Sequence, residues 1–254
     1  MRPLSTHDIL DVWEQGQGQP PWDRALIMLA TAYPEMTRDE LAALSIGQRD
    51  ARLLTMREQT FGPRLTGLSE CQACQGRLEF IVNVADIRVV SPTHPSPYQG
   101  EGTEGIAALS LSVGDYEVRF RLPNSLDQAA VTGNEDVAIA RKLLLERCLL
   151  ALQHNGEERA ADQLPANVLD AVVEQMAQAD PQADVQLALS CPACGHQWQT
   201  AFDIVSFFWS EINAWAARIL REVHILASGY GWREADILAL RPWRRQVYLE
   251  MVSG

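Results

Sequence analysis

Two Cys-x-x-Cys pairs constrain the fold of this 254-residue chain more than any other feature. The first pair is Cys71 and Cys74, the second is Cys191 and Cys194, and 116 residues lie between them. A two-residue spacer on a tight turn lets both thiolates of a pair face one ion, and two pairs complete the tetrahedral coordination that zinc prefers. We therefore predict one Zn²⁺ site with four cysteine ligands. Buried free thiols, redox-active pairs and a different metal are the alternatives that the pattern leaves open.

The distance between the two pairs predicts a split zinc ribbon. A simple ribbon places its pairs about 15 to 20 residues apart, so the intervening chain must be an insertion that folds and brings its ends together. The entropic cost of closing a loop grows only logarithmically with its length, so an ordered insertion is tolerable. Four thiolates leave no coordination position for water, and we therefore expect the zinc to be structural rather than catalytic.

The residues beside the cysteine pairs have secondary roles in this interpretation. Gly195 follows the second pair, where a positive φ lets the chain turn around the metal. Gln75 and Gly76 follow the first pair and are a looser match. His196 is an alternative ligand, although a supporting or surface role is favoured. The fifth cysteine, Cys148, lies on the apolar side of a predicted helix and is expected to be a small buried residue.

Charge and hydropathy exclude several classes of protein. The chain has 21 basic and 33 acidic residues, and residues 91–202 alone contribute a net charge of −9. An acidic surface repels phosphate backbones, so we expect no nucleic-acid partner. The N-terminal residues lack a signal-peptide pattern and no uninterrupted apolar run of about 18 residues is present, so we expect no membrane insertion and a cytoplasmic location.

The distribution of periodic patterns predicts an α+β fold. Its core is a zinc-ribbon-like β structure with a large mixed insertion, flanked by short N-terminal helices and by a long C-terminal helix with a helical tail. The predicted domains are a helical region over 1–66, a split ribbon domain over 67–204 with its insertion over 91–184, and a helical region over 205–254.

Local signals support this division. Capping boxes begin the N-terminal helices, and the last of these helices should end at Phe61-Gly62-Pro63. Alternating apolar residues predict strands after the first cysteine pair and before the second. Within the insertion we expect an exposed loop over 91–106, a hairpin over 111–122 and a helix from Val137 to Leu152.

The C-terminal region combines a long amphipathic helix with most of the tryptophans. Apolar residues from Val205 to Leu226 recur every three or four residues, and we expect this stripe to pack on the zinc ribbon. Aromatic and arginine side chains are enriched at protein interfaces. Those of this region form the predicted partner-binding surface: Trp209, Trp232, Trp243, Arg244, Arg245 and Tyr248.

Several short blocks of the sequence, in the order in which they occur along the chain, resemble the baseplate protein family of T-even-type contractile phages, which has relatives in contractile injection systems. The resemblance runs from about residue 45 to 205 and leaves the N-terminal 44 residues uncovered. The matching residues are Ser45-Ile46-Gly47-Gln48-Arg49-Asp50, Arg57, Phe61-Gly62-Pro63-Arg64, Phe120-Arg121-Leu122-Pro123 with Ser125 and Asp127, and the two cysteine pairs with Pro192 and Gly195. The resemblance implies a structural or assembly role with other baseplate or tail proteins, and it implies no catalytic residues.

Three functional hypotheses follow. The first is a non-enzymatic baseplate component that acts in the bacterial cytoplasm during assembly, with its incorporation in the finished particle left open. The second is a zinc-ribbon nucleic-acid-binding or regulatory protein, which the acidic charge disfavours. The third is a metal-dependent enzyme, which needs an open metal position or a second acid–base cluster, and the sequence offers neither. Whether a baseplate component is permanent or transient, and whether it belongs to a phage or an injection system, stays open.

Overall fold

The computed structural model describes residues 2–89, 108–160 and 164–253 and has mixed α and β architecture. The predicted exposed loop over 91–106 lies outside the described residues. Apolar side chains form three main clusters: a large one among the N-terminal helices and the start of the long C-terminal helix, one inside the insertion, and one around the C-terminal tail. The α+β prediction is confirmed, but the largest core is helical rather than a β ribbon.

Four helices form the N-terminal region, as the cap signals predict. They are α1 (Thr6–Gly16), α2 (Pro21–Ala32), α3 (Arg38–Ala43) and α4 (Ile46–Phe61). Capping boxes begin α1, α3 and α4, with the side chains of Ser5, Thr37 and Ser45 accepting backbone hydrogen bonds. The last helix ends at the predicted position, where Gly62 has a φ of 91°.

The first ribbon hairpin consists of β1 (Arg64–Glu70) and β2 (Arg77–Asn83), which pair antiparallel and lead into the short helix α5 (Val84–Ile87). The chain is already extended from Arg64, so the first hairpin begins just before the predicted boundary at residue 66. Pairing with β2 decides the conformation. Gly67 lies opposite Phe80, and a Cβ at Gly67 would come within 2.3 Å of the ring.

The insertion contains its own sheet and its own apolar cluster. The strands are β3 (Ala108–Val113), β4 (Tyr116–Arg121), β5 (Leu149–His154) and β6 (Glu157–Glu158), and they lie in sequence order. The helices are α6 (Ser125–Val131), α7 (Val137–Cys148) and α8 (Ala166–Ala179). The predicted hairpin turns at Gly114, which has a φ of 59°.

The predicted helix from Val137 to Leu152 is wrong in its second part. It ends at Cys148, and Leu149 begins β5. Leu149 and Leu152 continue the apolar spacing of the helix, but β5 pairs with β4, with Leu152 opposite Val118. Strand pairing with a neighbouring hairpin therefore overrides the local helical pattern.

The second ribbon hairpin consists of β7 (Gln186–Ser190) and β8 (Gln197–Ala201), as the alternation predicts. It forms a two-stranded sheet separate from that of β1 and β2. The predicted ribbon is thus two independent hairpins attached to a helical body, rather than one continuous β core.

Three helices complete the chain: α9 (Ile204–Tyr230), α10 (Glu234–Leu238) and α11 (Pro242–Ser253). The predicted apolar stripe is buried along α9, but the ribbon covers only part of it. The stripe packs on α1, α2, α4, α10 and α11. Its first part, with Val205 and Phe208, lies in the same cluster as Leu187 and Leu189 of the ribbon. Helices present broader apolar faces than a two-stranded hairpin, so they cover most of the stripe.

The insertion is fixed to the helical body at the start of α4. The Ile46 N–H donates to the carbonyl of Pro123 at 3.0 Å, and the Gly47 N–H donates to Oδ2 of Asp180 at 2.9 Å. Arg49, which is 3% exposed, donates from Nη1 to Oε1 of Gln128. These contacts use buried polar groups and so set one orientation of the insertion.

Candidate metal centre

The two ribbon hairpins bring all four predicted ligands together. The four Sγ atoms of Cys71, Cys74, Cys191 and Cys194 lie within 4.8 Å of one another. Cys71 Sγ lies 3.7 Å from Cys194 Sγ, and Cys74 Sγ lies 3.7 Å from Cys191 Sγ. The fold thus joins residues from opposite ends of the insertion at one point.

These distances fit a tetrahedral metal site. With zinc–sulfur bonds of about 2.3 Å, the edge of a tetrahedron of four sulfurs is about 3.8 Å. A disulfide needs about 2.05 Å, and the cysteines are free thiols. Among the described residues, this is the one group of His, Cys, Asp or Glu side chains placed to hold a metal ion.

Both cysteine turns have the same backbone geometry. The N–H of Cys71 donates to the Gly76 carbonyl at 3.0 Å, and the N–H of Cys191 donates to the His196 carbonyl at 2.8 Å. The residue after each pair has positive φ, 59° at Gln75 and 73° at Gly195. The first turn therefore matches the second in geometry, although Gln75 stands where the second turn has Gly195.

Backbone dipoles favour thiolate in this arrangement. The N–H groups of Cys194 and Ala193 donate hydrogen bonds to Cys191, and they lower the pKa of this thiol to about 7. Thiolate is the form that binds a metal, so the turn prepares one ligand near neutral pH.

The site has a buried side and an exposed side. Cys71 and Cys191 are buried and contact Leu78, whereas Cys74 and Cys194 are exposed. Trp198 packs against the buried side, and His196 stacks on Trp198 with ring centroids 5.8 Å apart. His196 lies outside the four-sulfur group, which agrees with a supporting role.

Cys148 is separate from this site and is buried, as predicted. Its Sγ lies 4.0 Å from Oδ2 of Asp127, and burial with the nearby Asp127 carboxylate raises the pKa of the thiol to about 11. Asp127 itself is fully buried and accepts hydrogen bonds from Arg121 and Arg147. This group joins β4, α6 and α7 within the insertion.

An ion pair that was not among the sequence predictions joins buried Arg57 of α4 to the partly exposed Glu211 of α9. Arg57 is 2% exposed and donates from Nε and Nη2 to the two carboxylate oxygens of Glu211, at 2.8 and 2.5 Å. Its Nη1 donates to the Gly62 carbonyl at 2.6 Å. An arginine on the apolar side of a predicted helix was the available signal, because such a side chain needs a buried partner.

The predicted partner-binding residues occupy different environments. Trp243 is 66% exposed and Arg244 is also exposed. Arg245 is 3% exposed and donates from Nε to Glu222 at 2.7 Å. A partner-binding residue should be exposed, and Trp243 and Arg244 meet this condition. Arg245 does not meet it, because it is buried and its charge is compensated by Glu222 within the chain.

The other three residues of this set pack inside the chain. Trp209 contacts α1 at Gly16, and the guanidinium of Arg24 lies 4.4 Å from the centroid of its ring system. Trp232 and Tyr248 pack edge to face, with centroids 4.8 Å apart, in the apolar cluster of the C-terminal tail. These side chains complete the core, because the chain turns back after Gly231.

The fold and site define a class of α+β protein in which a helical body carries two cysteine hairpins. The hairpins flank a folded insertion and meet at the four-cysteine site. The family model described as T4 bacteriophage base plate protein matches residues 19–209. The chain belongs to this family. No curated protein and no solved structure gives a significant match. Among the described residues, no helix has the length and apolar character to span a membrane.

Proposed function

We propose that this chain is a non-enzymatic structural or assembly component of a contractile-tail baseplate, held together by one structural zinc ion. The family match over residues 19–209 supports the baseplate role. The four-sulfur group supports the zinc, because its distances agree with tetrahedral thiolate coordination. Such a zinc would cross-link the two ends of the insertion and would leave no open position for catalysis.

The zinc is tested by elemental analysis of freshly prepared, reduced protein. We expect close to one equivalent of zinc per chain and loss of the folded state on chelation, because the binding energy of a structural zinc is also folding energy. Protein that is folded, reduced and free of any metal would contradict the zinc assignment. It would leave the baseplate assignment standing.

The baseplate role is tested by mass spectrometry of purified particles and of their assembly intermediates. We expect the chain in intermediates together with other baseplate or tail proteins, in bacterial cytoplasm, and a deletion strain should accumulate incomplete particles. Presence in finished particles identifies a permanent subunit, whereas presence in intermediates alone identifies an assembly factor. Normal assembly in the deletion strain would overturn the proposal.

One observation, the paired cysteine hairpins, supports the alternative function of a nucleic-acid-binding zinc ribbon. The net charge of −12 opposes it, since phosphate contacts require a basic surface. Fluorescence anisotropy with duplex and single-stranded DNA and RNA separates the two functions. We expect no salt-dependent binding at physiological ionic strength, and submicromolar binding would favour the alternative.

A further inference from the structure

The outward side of α11 carries an apolar stripe that no described residue covers. Trp243, Val247 and Met251 are 66%, 39% and 66% exposed. Steps of four residues place them on one side of the helix. The opposite side carries Leu249 and Val252, which pack into the cluster of the C-terminal tail. Contiguous exposed apolar side chains of this kind mark an interaction surface.

A groove between α1 and α10 offers a second uncovered apolar surface. Its volume is about 770 Å³, and its apolar lining includes Leu10, Ala235 and Leu238. Its charged lining consists of Asp11, Glu14 and Glu234 with His7 and Arg233. Three carboxylates against one arginine make the groove acidic when the histidine is neutral.

The stripe and the groove match in length and in charge. At 1.5 Å per residue, the stripe from Trp243 to Met251 and the groove wall of α1 from Thr6 to Glu14 each extend about 12 Å. Arg244 is exposed beside the stripe and forms no ion pair with the described residues, and the same holds for Glu14 on the groove. Arg244 beside the stripe, which has no carboxylate partner among the described residues, would therefore approach Glu14 of the groove, which has no arginine partner among them.

The stripe on α11 cannot reach the groove between α1 and α10 of the same chain. Residues 239–241 alone connect α10 to α11, and the ion pair of buried Arg245 with Glu222 fixes the inner side of α11 on α9. The outer stripe consequently points away from the body and cannot enter the groove beside its own α10. Within the described ranges, this stripe can therefore enter the groove only from a second molecule.

We propose that α11 of one copy of this chain binds the groove between α1 and α10 of a second copy. The contact is heterologous, because it joins two different surfaces. Each added copy leaves a free helix at one end and a free groove at the other, so the assembly grows until a ring closes or a filament forms. This inference goes beyond the proposed function and does not depend on the zinc or on the family.

The test uses the full chain, sedimentation velocity over a concentration series, and two blocking variants at exposed positions. Trp243→Asp places a charge in the apolar stripe of α11, and Ala235→Arg fills the groove with a long side chain. We expect the wild type to form species larger than a dimer at high concentration, and each variant alone to be monomeric, with association weakened by at least about 30-fold. Val137→Asp is the matched control, because it replaces an apolar residue that is 80% exposed on α7 and should leave assembly unchanged.

An equimolar mixture of the two variants gives the decisive result. Each mixed pair retains one intact helix and one intact groove, so we expect a dimer of one copy of each variant and nothing larger. A wild type that stays monomeric at submillimolar concentration overturns the proposal. A mixture that stays monomeric also overturns it, since the wild-type contact would then use like surfaces or other residues.

A charge reversal tests the register of the contact. Glu14→Arg and Arg244→Glu should each weaken association of the full chain, and a protein that carries both substitutions should recover it. Failure of the double variant to recover, with both single variants weakened, would contradict the proposed approach of Arg244 to Glu14. Association that is unchanged in both single variants would contradict the proposed docking surface.

Discussion

Gln75 and Gly195 occupy the same position in the two cysteine turns and share the left-handed backbone conformation, with φ of 59° and 73°. Glycine adopts this conformation at little cost, whereas a residue with a Cβ loses about 1 to 2 kcal/mol. The two halves of the site are therefore alike in geometry and unequal in backbone strain.

This inequality predicts opposite effects of two substitutions. Gln75→Gly should stabilise the metal-loaded protein by about 1 kcal/mol, because the relief of backbone strain outweighs the extra conformational entropy that glycine gives the unfolded chain. Gly195→Gln should destabilise it by about 1 to 2 kcal/mol. No heavy atom lies within 4 Å of a Cβ built at Gly195, so the cost comes from the backbone alone. Urea unfolding measures both, and Gln72→Gly, in the same turn, is the control that should not stabilise.

The cysteine assignment predicts that Cys71→Ser and Cys148→Ala separate metal binding from packing. Cys71→Ser should lose the zinc and most of the stability, because it removes a ligand of the cross-link. Cys148→Ala should keep one equivalent of zinc and lose about 1 kcal/mol from reduced packing at a fully buried position. Elemental analysis and thermal unfolding on the same samples check this. Equal zinc content in the two variants would show that Cys71 is not a ligand.

The Arg57–Glu211 ion pair should matter far more than an exposed pair. Arg57→Met removes both hydrogen bonds to the partly exposed carboxylate of Glu211, and we expect a loss of about 1.5 to 3 kcal/mol in the free energy of unfolding. The control is Arg141→Met on the exposed Arg141–Asp170 pair at 3.2 Å, which should cost less than about 1 kcal/mol. Addition of Glu211→Leu to Arg57→Met should restore part of the loss. A loss no larger than the control's would show that the pair contributes little.

The Asp50 carboxyl should make stability depend on pH. Burial raises its pKa from the ordinary 3.8 to about 6, and the charges of Asp203 and Asp180 add to the effect although Arg49 opposes it. Since the folded pKa is the higher one, the stabilisation by the neutral form is complete below about pH 4 and is lost as the pH rises through about 6.

The substitution Asp50→Asn should therefore stabilise the protein at pH 7 by up to about 3 kcal/mol, and this advantage should shrink towards pH 5. Urea unfolding of variant and wild type in excess zinc gives the difference at each pH, so that loss of metal at low pH affects both equally. Glu79→Gln, which removes one negative charge from the exposed side of β2, is the control. A difference that does not vary between pH 5 and 7 would contradict the raised pKa.

The cysteine pairs and the helix caps could be predicted from the sequence because their signals are local. Two-residue spacers define a metal turn, and a serine or threonine three residues before an acid or amide defines a helix start, as at Ser45 and Thr37. Neither signal depends on what the segment packs against.

The differences between prediction and structure lie where distant residues decide the local structure. β1 contains Gly67 and Ser69 on its half-buried side, so its alternation is weak until β2 supplies Phe80 opposite Gly67. Leu149 and Leu152 fit either a helix or a strand, and β4 selects the strand. The partner of the α9 stripe and the inward position of Arg245 depend on tertiary packing, which no periodic pattern specifies.

The four-cysteine site, which joins the two ends of the insertion, also determines how the chain would carry mechanical force. A metal across Cys71 and Cys194 joins residues 123 apart in sequence, so tension applied between the N-terminal and C-terminal helices passes through metal–sulfur bonds and bypasses the insertion. The shielded segment would extend roughly 400 Å if released. In a force-extension experiment, removal of the metal should therefore lengthen the unfolded chain by about that amount, and the insertion should be the part of a loaded protein that tension reaches last.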